Sequence, residues 1–355
     1  MNFLKRISSV LITLWGVATI VFLLFSVLPG DPAQMMLGQN ANSKELILIQ
    51  QKFGFDQPVF KQYTSYLNDL SPISIHPQTH DFNGLSTNQY SYTSIFNLGE
   101  RVLVLKWPYL RESFQKSGVQ VSQVIQDTLP NTAILAMAAL LIAICFGILF
   151  GILSAIFVHS PIDRILQLVS TMGMSLPSFF SAILVAWIFG FLLYEYTSLD
   201  MTGSLYVLDD LGESYHIAWK NLVLPAFVLG IRPLAVVTQL MRNALLDEWN
   251  RAYVKTARAK GLSMSLIIWK HMLKNALNPV ITALSGWFAS MLAGAVFVEY
   301  IFGWNGIGKE IVNALNVLDV PVLMGSVLTV SFLFIMINQV VDLLYAYLDP
   351  KVQLN

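Results

Sequence analysis

Charge is scarce in this sequence and cysteine nearly absent. The single cysteine, Cys145, sits in an apolar run, so an intrachain disulfide is excluded and the redox compartment is left unmarked. Lys plus Arg and Asp plus Glu each total 21, which leaves no net charge to argue for nucleic acid or for an acidic partner. Only 12% of the 355 residues are charged while 55% are hydrophobic, and the mean hydropathy is +0.61. That is far more apolar than an average soluble domain and reads as an integral membrane protein. No H-E-x-x-H and no G-x-S-x-G occurs, so the common zinc and serine hydrolase constellations lack their residues. No catalytic, cofactor-binding or metal-binding residue is assigned, and no enzyme activity is expected.

What is present is a series of long apolar runs. Lys5-Arg6 precede an uncharged run from Ile7 to Leu28, too long for a signal-peptide core and without an A-x-A-like cleavage site. It predicts a retained first span within residues 1–30, with the N-terminus inside, ended by Pro29-Gly30-Asp31-Pro32. From 31 to 126 the composition turns polar and aromatic, with Tyr63, Tyr66, Tyr90, Tyr92, Trp107 and Tyr109 among many Asn, Gln and Ser residues. This predicts an extracytoplasmic insertion. Within it, Ser43 to Phe53 reads as a short capped helix closed by Gly54. His76 and His80 have the i, i+4 spacing of metal ligands on a helix, but Pro77 opposes a helix and no further ligand is near.

The remainder, 127–355, carries five further apolar runs, within 131–159, 165–194, 221–241, 280–300 and 322–348. Each is long enough to cross a hydrocarbon core of about 30 Å at about 1.5 Å per residue. The prediction is an all-α membrane protein of six spans with both termini cytoplasmic. Arg164, the central loop and Lys351 then lie inside, while the outer loops Glu195 to His216 and Phe302 to Pro321 hold Lys309 as their basic residue. Pro177, Pro225 and Pro233 should kink or break their helices. Arg232 lies inside a span, where a charge costs several kcal/mol and faces a cavity, a partner or an interface. Glu299 and Asp342 are its candidate partners, and snorkelling from near a helix end is the simpler alternative.

Basic charge gathers in one place, between Arg242 and Pro279, where Arg251, Lys255, Arg258, Lys260, Lys270 and Lys274 fall and no Asp or Glu occurs between Glu248 and Glu299. In a membrane protein this marks a cytoplasmic loop, residues 242–279. Leu246, Trp249, Tyr253 and Thr256/Ala257 repeat at helical spacing with the basic residues on other faces, which predicts an amphipathic helix. Gly261 can supply its left-handed terminator, and Ser263 can cap a second helix in which Leu266, Trp269, Leu273 and Leu277 line one face.

One further pattern is a look-alike. Gly303-Trp304-Asn305-Gly306-Ile307-Gly308-Lys309 matches G-x-x-x-x-G-K, yet Glu310 stands where a Ser or Thr would hold Mg²⁺ and would repel phosphate. No nucleotide site is predicted there.

The order Tyr253-Val254-Lys255-Thr256-Ala257-Arg258-Ala259-Lys260-Gly261-Leu262, followed by His271 and Asn275-Ala276-Leu277-Asn278-Pro279, resembles the EAA loop of ABC-importer permeases. Thr256 stands for that motif's leading Glu and Arg258 for its second Ala, a variant similar to the peptide-importer branch. Leu28-Pro29-Gly30-Asp31-Pro32, Gly54-Phe55-Asp56-Gln57-Pro58 with Gln62-Tyr63 and Tyr66-Leu67, and Val298-Glu299-Tyr300-Ile301-Phe302-Gly303-Trp304 with Gly306 and Gly308 resemble the same family. So do Asp319-x-Pro321, Asn338 and Val341-Asp342-Leu343-Leu344-Tyr345-Ala346-x-x-Asp349-Pro350. Leu70 to about Gly118 has no counterpart in it.

The resemblance is to the permeases of dipeptide, oligopeptide and nickel ABC importers, the binding-protein-dependent transport inner-membrane components. It implies type I permease architecture in a bacterial inner membrane, without catalytic activity or cofactor. The implied partners are cytoplasmic ABC ATPase subunits, a second homologous permease, an extracytoplasmic substrate-binding protein and the lipid bilayer. Tyr253, Thr256, Ala257, Arg258, Ala259, Lys260, Gly261 and Leu262 would then couple to the ATPase. A secondary transporter would also carry proline-broken spans but should show two related halves, and no such repeat is visible. A membrane-anchored scaffold binding a partner through the outer segment is the third reading.

Overall fold

The computed structural model describes residues 3–26, 32–37, 42–77, 90–116, 118–209 and 211–348. The Pro29-Gly30-Asp31 stop, His80, the segment 349–355 and the side chains of Lys5, Arg6 and Asp342 lie outside the described residues. Two compact units form, one from Met1–Thr128 with Glu310–Phe332 and one from Leu129–Lys309 with Leu333–Asn355.

The first unit begins with α1 (Phe3–Ser26), α2 (Pro32–Leu37), α3 (Ser43–Phe53) and α4 (Val59–Leu70). Gly54 ends α3 at φ 69°, with its amide returning to the Gln50 carbonyl, as the sequence predicts. At the other end Asn42 is the N-cap and makes no side-chain cap bond. The α1 residues Ala18, Val21 and Phe22 are buried with Tyr66, Met324 and Leu328. A 2.6 Å hydrogen bond between the Thr19 and Tyr63 hydroxyls ties α1 to α4.

The all-α expectation needs correction in this segment, because β1 (Ile73–Pro77), β2 (Tyr92–Leu98) and β3 (Arg101–Lys106) form an antiparallel sheet of order β1-β3-β2. Its polarity is reversed from the usual pattern. Ser74, His76, Val102, Val104 and Lys106 are buried, while Ile73, Ile75 and Leu105 on the other face are exposed. The polar residues are turned inward toward a buried carboxylate, Asp69, which accepts from the Tyr90 hydroxyl at 2.8 Å and from Arg111 Nε at 3.0 Å. Lys106 Nζ lies 4.2 Å from the centre of the Tyr90 ring, a cation–π arrangement. His76 shares hydrogen bonds with the Ser74 hydroxyl at 2.9 Å and with Asn68 at 3.4 Å. It serves this network as a buried structural histidine.

The second unit contains most of α5 (Val121–Ile156), then α6 (Pro161–Ser175), α7 (Ser178–Trp187) ending in a π turn at Ile188–Leu192, and α8 (Tyr194–Thr197). A two-stranded sheet, β4 (Tyr206–Leu208) with β5 (Tyr215–Ile217), leads to α9 (Lys220–Trp249), α10 (Ala252–Ala259), α11 (Met264–Ile267), a second π turn at Ile268–Met272, α12 (Leu273–Gly294), α13 (Val296–Phe302) and the first residues of α14 (Ile307–Asn316), whose remainder belongs to the first unit. The last helix is α15 (Val320–Leu348).

Among the described residues, Ser8–Ser26, Val121–Ile156, Lys220–Trp249 and Val320–Val341 are long and apolar enough to cross a membrane. The pair Pro161–Ser175 and Ser178–Leu192, bent by 112°, adds a fifth span if it crosses as one. The break falls at Leu176-Pro177, where proline caps α7 and no amide donor is needed. Pro225 and Pro233 do not break their helix, since α9 continues through both. Both are buried against neighbouring elements, the setting in which a membrane helix tolerates proline. The apolar run 280–300 is divided instead at Ala295, between α12 and α13.

Small residues set the spacing of α5 on α9. A Cβ on Gly147 would lie 2.7 Å from Val237 Cγ1, and one on Gly151 would lie 2.6 Å from Met241 Cβ and 2.8 Å from the Thr238 carbonyl. Gly147, Gly151 and the buried Ala155 form a small-xxx-small stripe, the pattern that lets membrane helices approach closely.

Two tests follow from these contacts. Gly151→Ala replaces glycine by a better helix former yet should lower the melting temperature of the solubilised chain, because overpacking costs on the order of 1–3 kcal/mol. Gly286→Ala, where nothing lies within 4 Å of the added carbon, should not lower it. A Gly151→Ala protein melting at or above wild type would show that the two helices are not held by this stripe. In the first unit, burial pushes Lys106 down to about 8 from 10.5, with Asp69 opposing that shift. The cost of burying its charge is therefore full below pH 8 and is lifted as pH rises toward 10.5. Lys106→Met should melt higher than wild type at pH 7, and the gap should narrow across that window. A gap that stays constant with pH would assign the effect to packing alone.

Candidate functional site: the basic loop between α9 and α12

The helix predicted across Leu246 to Ala257 is divided in the structure. Asn250 caps α9, Arg251 is extended at φ −66° and ψ 148°, and α10 starts at Ala252. Leu246, Trp249 and Tyr253 still share one apolar face, packed on a core of Val237, Met241, Leu245, Val254, Ala257 and Ile267. The side chain of Glu248 joins the two helices. It accepts from the Tyr253 hydroxyl and from Asn275 Nδ2 at 3.5 Å, and lies 3.7 Å from Arg251 Nε.

The corner after α10 is a Schellman motif. Leu262 N–H donates to the Ala257 carbonyl at 3.3 Å, Gly261 N–H donates to the Arg258 carbonyl at 2.9 Å, and Gly261 sits at φ 75°. Ser263 then caps α11, its hydroxyl accepting from Leu266 N–H at 3.4 Å. Both turns match what the sequence predicts, and the side chains that root them are Val254 and Ala257, both buried.

The face of the second helix differs from expectation. Ile267, Ile268, Met272, Ala276 and Val280 are its buried residues, whereas Leu266 is 43% and Trp269 is 62% exposed. The π turn at Ile268–Met272 inserts one extra residue and rotates the apolar stripe, which a regular period of 3.6 cannot show. Leu273 and Leu277 remain packed on the core.

Of the residues singled out from the sequence, Thr256, Arg258, Ala259, Lys260 and Gly261 are exposed, Tyr253 and Leu262 are half-buried, and Ala257 is buried. They form one continuous corner. Arg258 lies over the Trp249 ring at 4.7 Å, so its charge is anchored on an aromatic face. Lys255, Lys260, Lys270 and Lys274 point outward around it. The loop thus presents a basic rim with a small-residue centre and an exposed Trp269 beside it.

A buried pair missed in the sequence ties this region to α6. Arg242 Nε and the second guanidinium nitrogen donate to the two oxygens of Asp163, each at 2.8 Å. Asp163 also accepts from the Ser154 hydroxyl and from His159 N–H at 2.9 Å. Ser160 followed by Asp163 three positions later is the readable signal, since it has the spacing of a capping box.

Arg232 is not paired with Glu299. It donates to the Leu176 carbonyl at 3.2 Å. Glu299 instead accepts from Gly308 N–H at 2.7 Å and Lys309 N–H at 3.2 Å, at the start of α14. Its carboxylate fills the concavity of the G-x-x-x-x-G-K look-alike, where added carbons on Gly306 or Gly308 would collide with it. Lys309 Nζ turns back to the Gly303 carbonyl at 3.0 Å and Asn305 Oδ1 at 2.8 Å.

Comparison with known proteins gives this geometry a context. Residues 147–354 match the family described as binding-protein-dependent transport system inner membrane component, and residues 1–80 match its N-terminal membrane component. The dipeptide transport system permease protein DppB of Alkalihalophilus pseudofirmus is 30% identical over 363 residues, covering 99% of this chain and 98% of that protein. The glutathione transport system permease protein GsiC of Salmonella choleraesuis is 31% identical over 350 residues, covering 99% and 98%. Among solved structures, the inward-facing methionine ABC transporter MetNI is similar in fold, with a TM-score of 0.50 at 14% identity over 64% of this chain and 97% of that one. A family match running through the basic loop, together with full-length likeness to named permeases, places the chain in the binding-protein-dependent transport system inner membrane component family, the non-catalytic permease subunits of ABC importers.

Proposed function

We propose that the chain lines the translocation pathway of a type I importer for di- or oligopeptides and couples it to ATP hydrolysis through the corner from Tyr253 to Leu262. Its similarity to dipeptide and glutathione permeases favours a peptide substrate. In this reading a second homologous permease completes the pathway, an extracytoplasmic binding protein delivers the peptide, and cytoplasmic ATPase subunits hydrolyse ATP. On the same reading the chain crosses the membrane six times, with both termini and the loop 242–279 in the cytoplasm of a bacterial cell and the insertion 31–126 outside, a sidedness supported by the Lys/Arg bias.

The observation that carries the coupling role is the way the corner is built. Its backbone is fixed by the Schellman hydrogen bonds and rooted by buried Val254 and Ala257, while Thr256, Arg258, Ala259, Lys260 and Gly261 face out. A rigid, small-sided, basic projection is suited to fill a groove on a partner and to pass its displacement to α9 and α12, which share its core. ATPase closure would then bias the membrane helices between inward-open and outward-open arrangements.

Gly261 tests this directly. Nothing lies within 4 Å of a carbon added there, so the strain of a substitution comes from its φ of 75° rather than from an internal clash. Gly261→Val should therefore distort the corner at a local cost of roughly 1 kcal/mol or more, while Gly261→Asn, which tolerates the left-handed region, should distort it less. In reconstituted complexes Gly261→Val is expected to lose most substrate uptake at near-normal abundance, Gly261→Asn to keep more, and Lys274→Ala to change little. Full uptake by Gly261→Val with the ATPase still co-purifying would remove the corner from the coupling path.

A further inference from the structure

The N-terminal half of α9 holds a charge where a membrane helix rarely has one. Arg232 lies about 18 Å along this 30-residue helix from Lys220, at about 1.5 Å per residue. With a hydrocarbon core of about 30 Å, that is too deep for the side chain to reach the interface from the Lys220 end. An arginine at such depth faces a cavity or a partner rather than lipid, because exposure to hydrocarbon costs several kcal/mol.

Arg232 is exposed in the single chain and borders a cavity. Among the described residues no carboxylate forms an ion pair with it, and its hydrogen bond goes to the Leu176 carbonyl at 3.2 Å. Leu176 is the residue at the break between α6 and α7, followed by Pro177, which has no N–H to continue a helix. Among the described residues no other hydrogen bond engages its guanidinium, so the remaining N–H donors of the planar fork can reach a ligand. Beside it lies a cavity of about 80 Å³ lined by Ser178, Ser181, Arg232, Trp287 and Ser290. That is room enough for a small polar group such as a carboxylate.

We propose that Arg232, with the hydroxyls of Ser178, Ser181 and Ser290, forms a subsite on the translocation path that takes the C-terminal carboxylate of the transported peptide. A planar guanidinium matches a carboxylate in two parallel hydrogen bonds, which neutral serines alone do not provide. Trp287 adds an aromatic side chain to the lining of the same cavity. The subsite sits between α6, α7, α9 and α12, elements that a change at the basic loop would displace together, so grip on the carboxylate would change with the state of the transporter. This assignment rests on the peptide-importer reading above.

The test uses the complete importer, purified and reconstituted. Uptake of radiolabelled alanyl-alanine and trialanine by wild type first checks the reading itself, and absence of uptake of both would overturn that reading and this subsite with it. Binding of alanyl-alanine and of its C-terminal amide is then measured on the purified membrane complex without binding protein. Wild type should bind the free acid at least tenfold tighter than the amide. Arg232→Gln should bring the two within about twofold by weakening the acid alone, and Arg232→Lys should restore part of the preference. Uptake by wild type without an acid-over-amide preference would overturn the subsite while leaving the importer reading intact. Equal weakening of acid and amide in Arg232→Gln would do the same, and would make Arg232 a brace for the Leu176 carbonyl. Ser181→Ala provides a milder check, with a smaller loss confined to the acid.

Discussion

Each break in the helices leaves backbone groups without helical partners, and the architecture depends on side chains that take them up. Backbone groups shielded from water need a partner within the chain. Asp163 accepts from His159 N–H where α5 gives way to α6, Arg232 donates to the Leu176 carbonyl where α6 gives way to α7, and Glu299 accepts from Gly308 and Lys309 N–H at the start of α14. In the first unit Asp319 does the same for the amides of Phe114 and Gln115, at 3.0 and 3.4 Å. These charged residues are few in an apolar chain, and much of their chemistry goes into the backbone. Their positions fix where the helices are allowed to end.

The close approach of α5 to α9 turns those fixed ends into a stiff element. With Gly147 and Gly151 beneath Val237 and Met241, one face of α9 is held against α5 while its C-terminal end runs into the basic corner. The corner shares its apolar core with α9 and α12, so a force applied at Arg258 or Gly261 meets packed side chains rather than a loose loop. Packed interiors do not deform continuously. A push there is better described as choosing between two packings of the helices than as bending one of them.

Much of this was legible in the sequence, and the misses have physical causes. The Gly261 turn, the Ser263 cap and the Gly54 terminator could be read because each depends on one residue type with one conformational property. The buried face of the helix after Ser263 could not, because the π turn at Ile268–Met272 shifts the stripe without leaving a composition signal. The sheet of β1, β2 and β3 was hidden for a different reason. Its inward residues include Ser74, His76 and Lys106, so the alternation that marks a strand points the wrong way until Asp69 and Tyr90 are seen behind it. Proline was a good guide at Pro177, where one helix ends and the next begins, and a poorer one at Pro225 and Pro233, which are carried inside a packed helix.

The loop from Gly303 to Lys309 shows the same backbone demand met in a way that resembles another protein class. A glycine-rich turn leading into a helix exposes amides that attract an anion, which is why such turns cradle phosphates elsewhere. Here the anion is supplied by the chain, since the Glu299 carboxylate occupies that place and the glycines at 306 and 308 leave room for it. Trp304, fully buried, donates from its indole nitrogen to the Asn131 carbonyl at 3.0 Å and pins the turn to α5. With its donors already engaged and Lys309 folded back on the turn, this element has no vacancy for nucleotide. Its pattern of glycines and lysine follows from closing a helix start in an apolar setting, so the resemblance to a phosphate loop reflects shared backbone physics rather than shared chemistry.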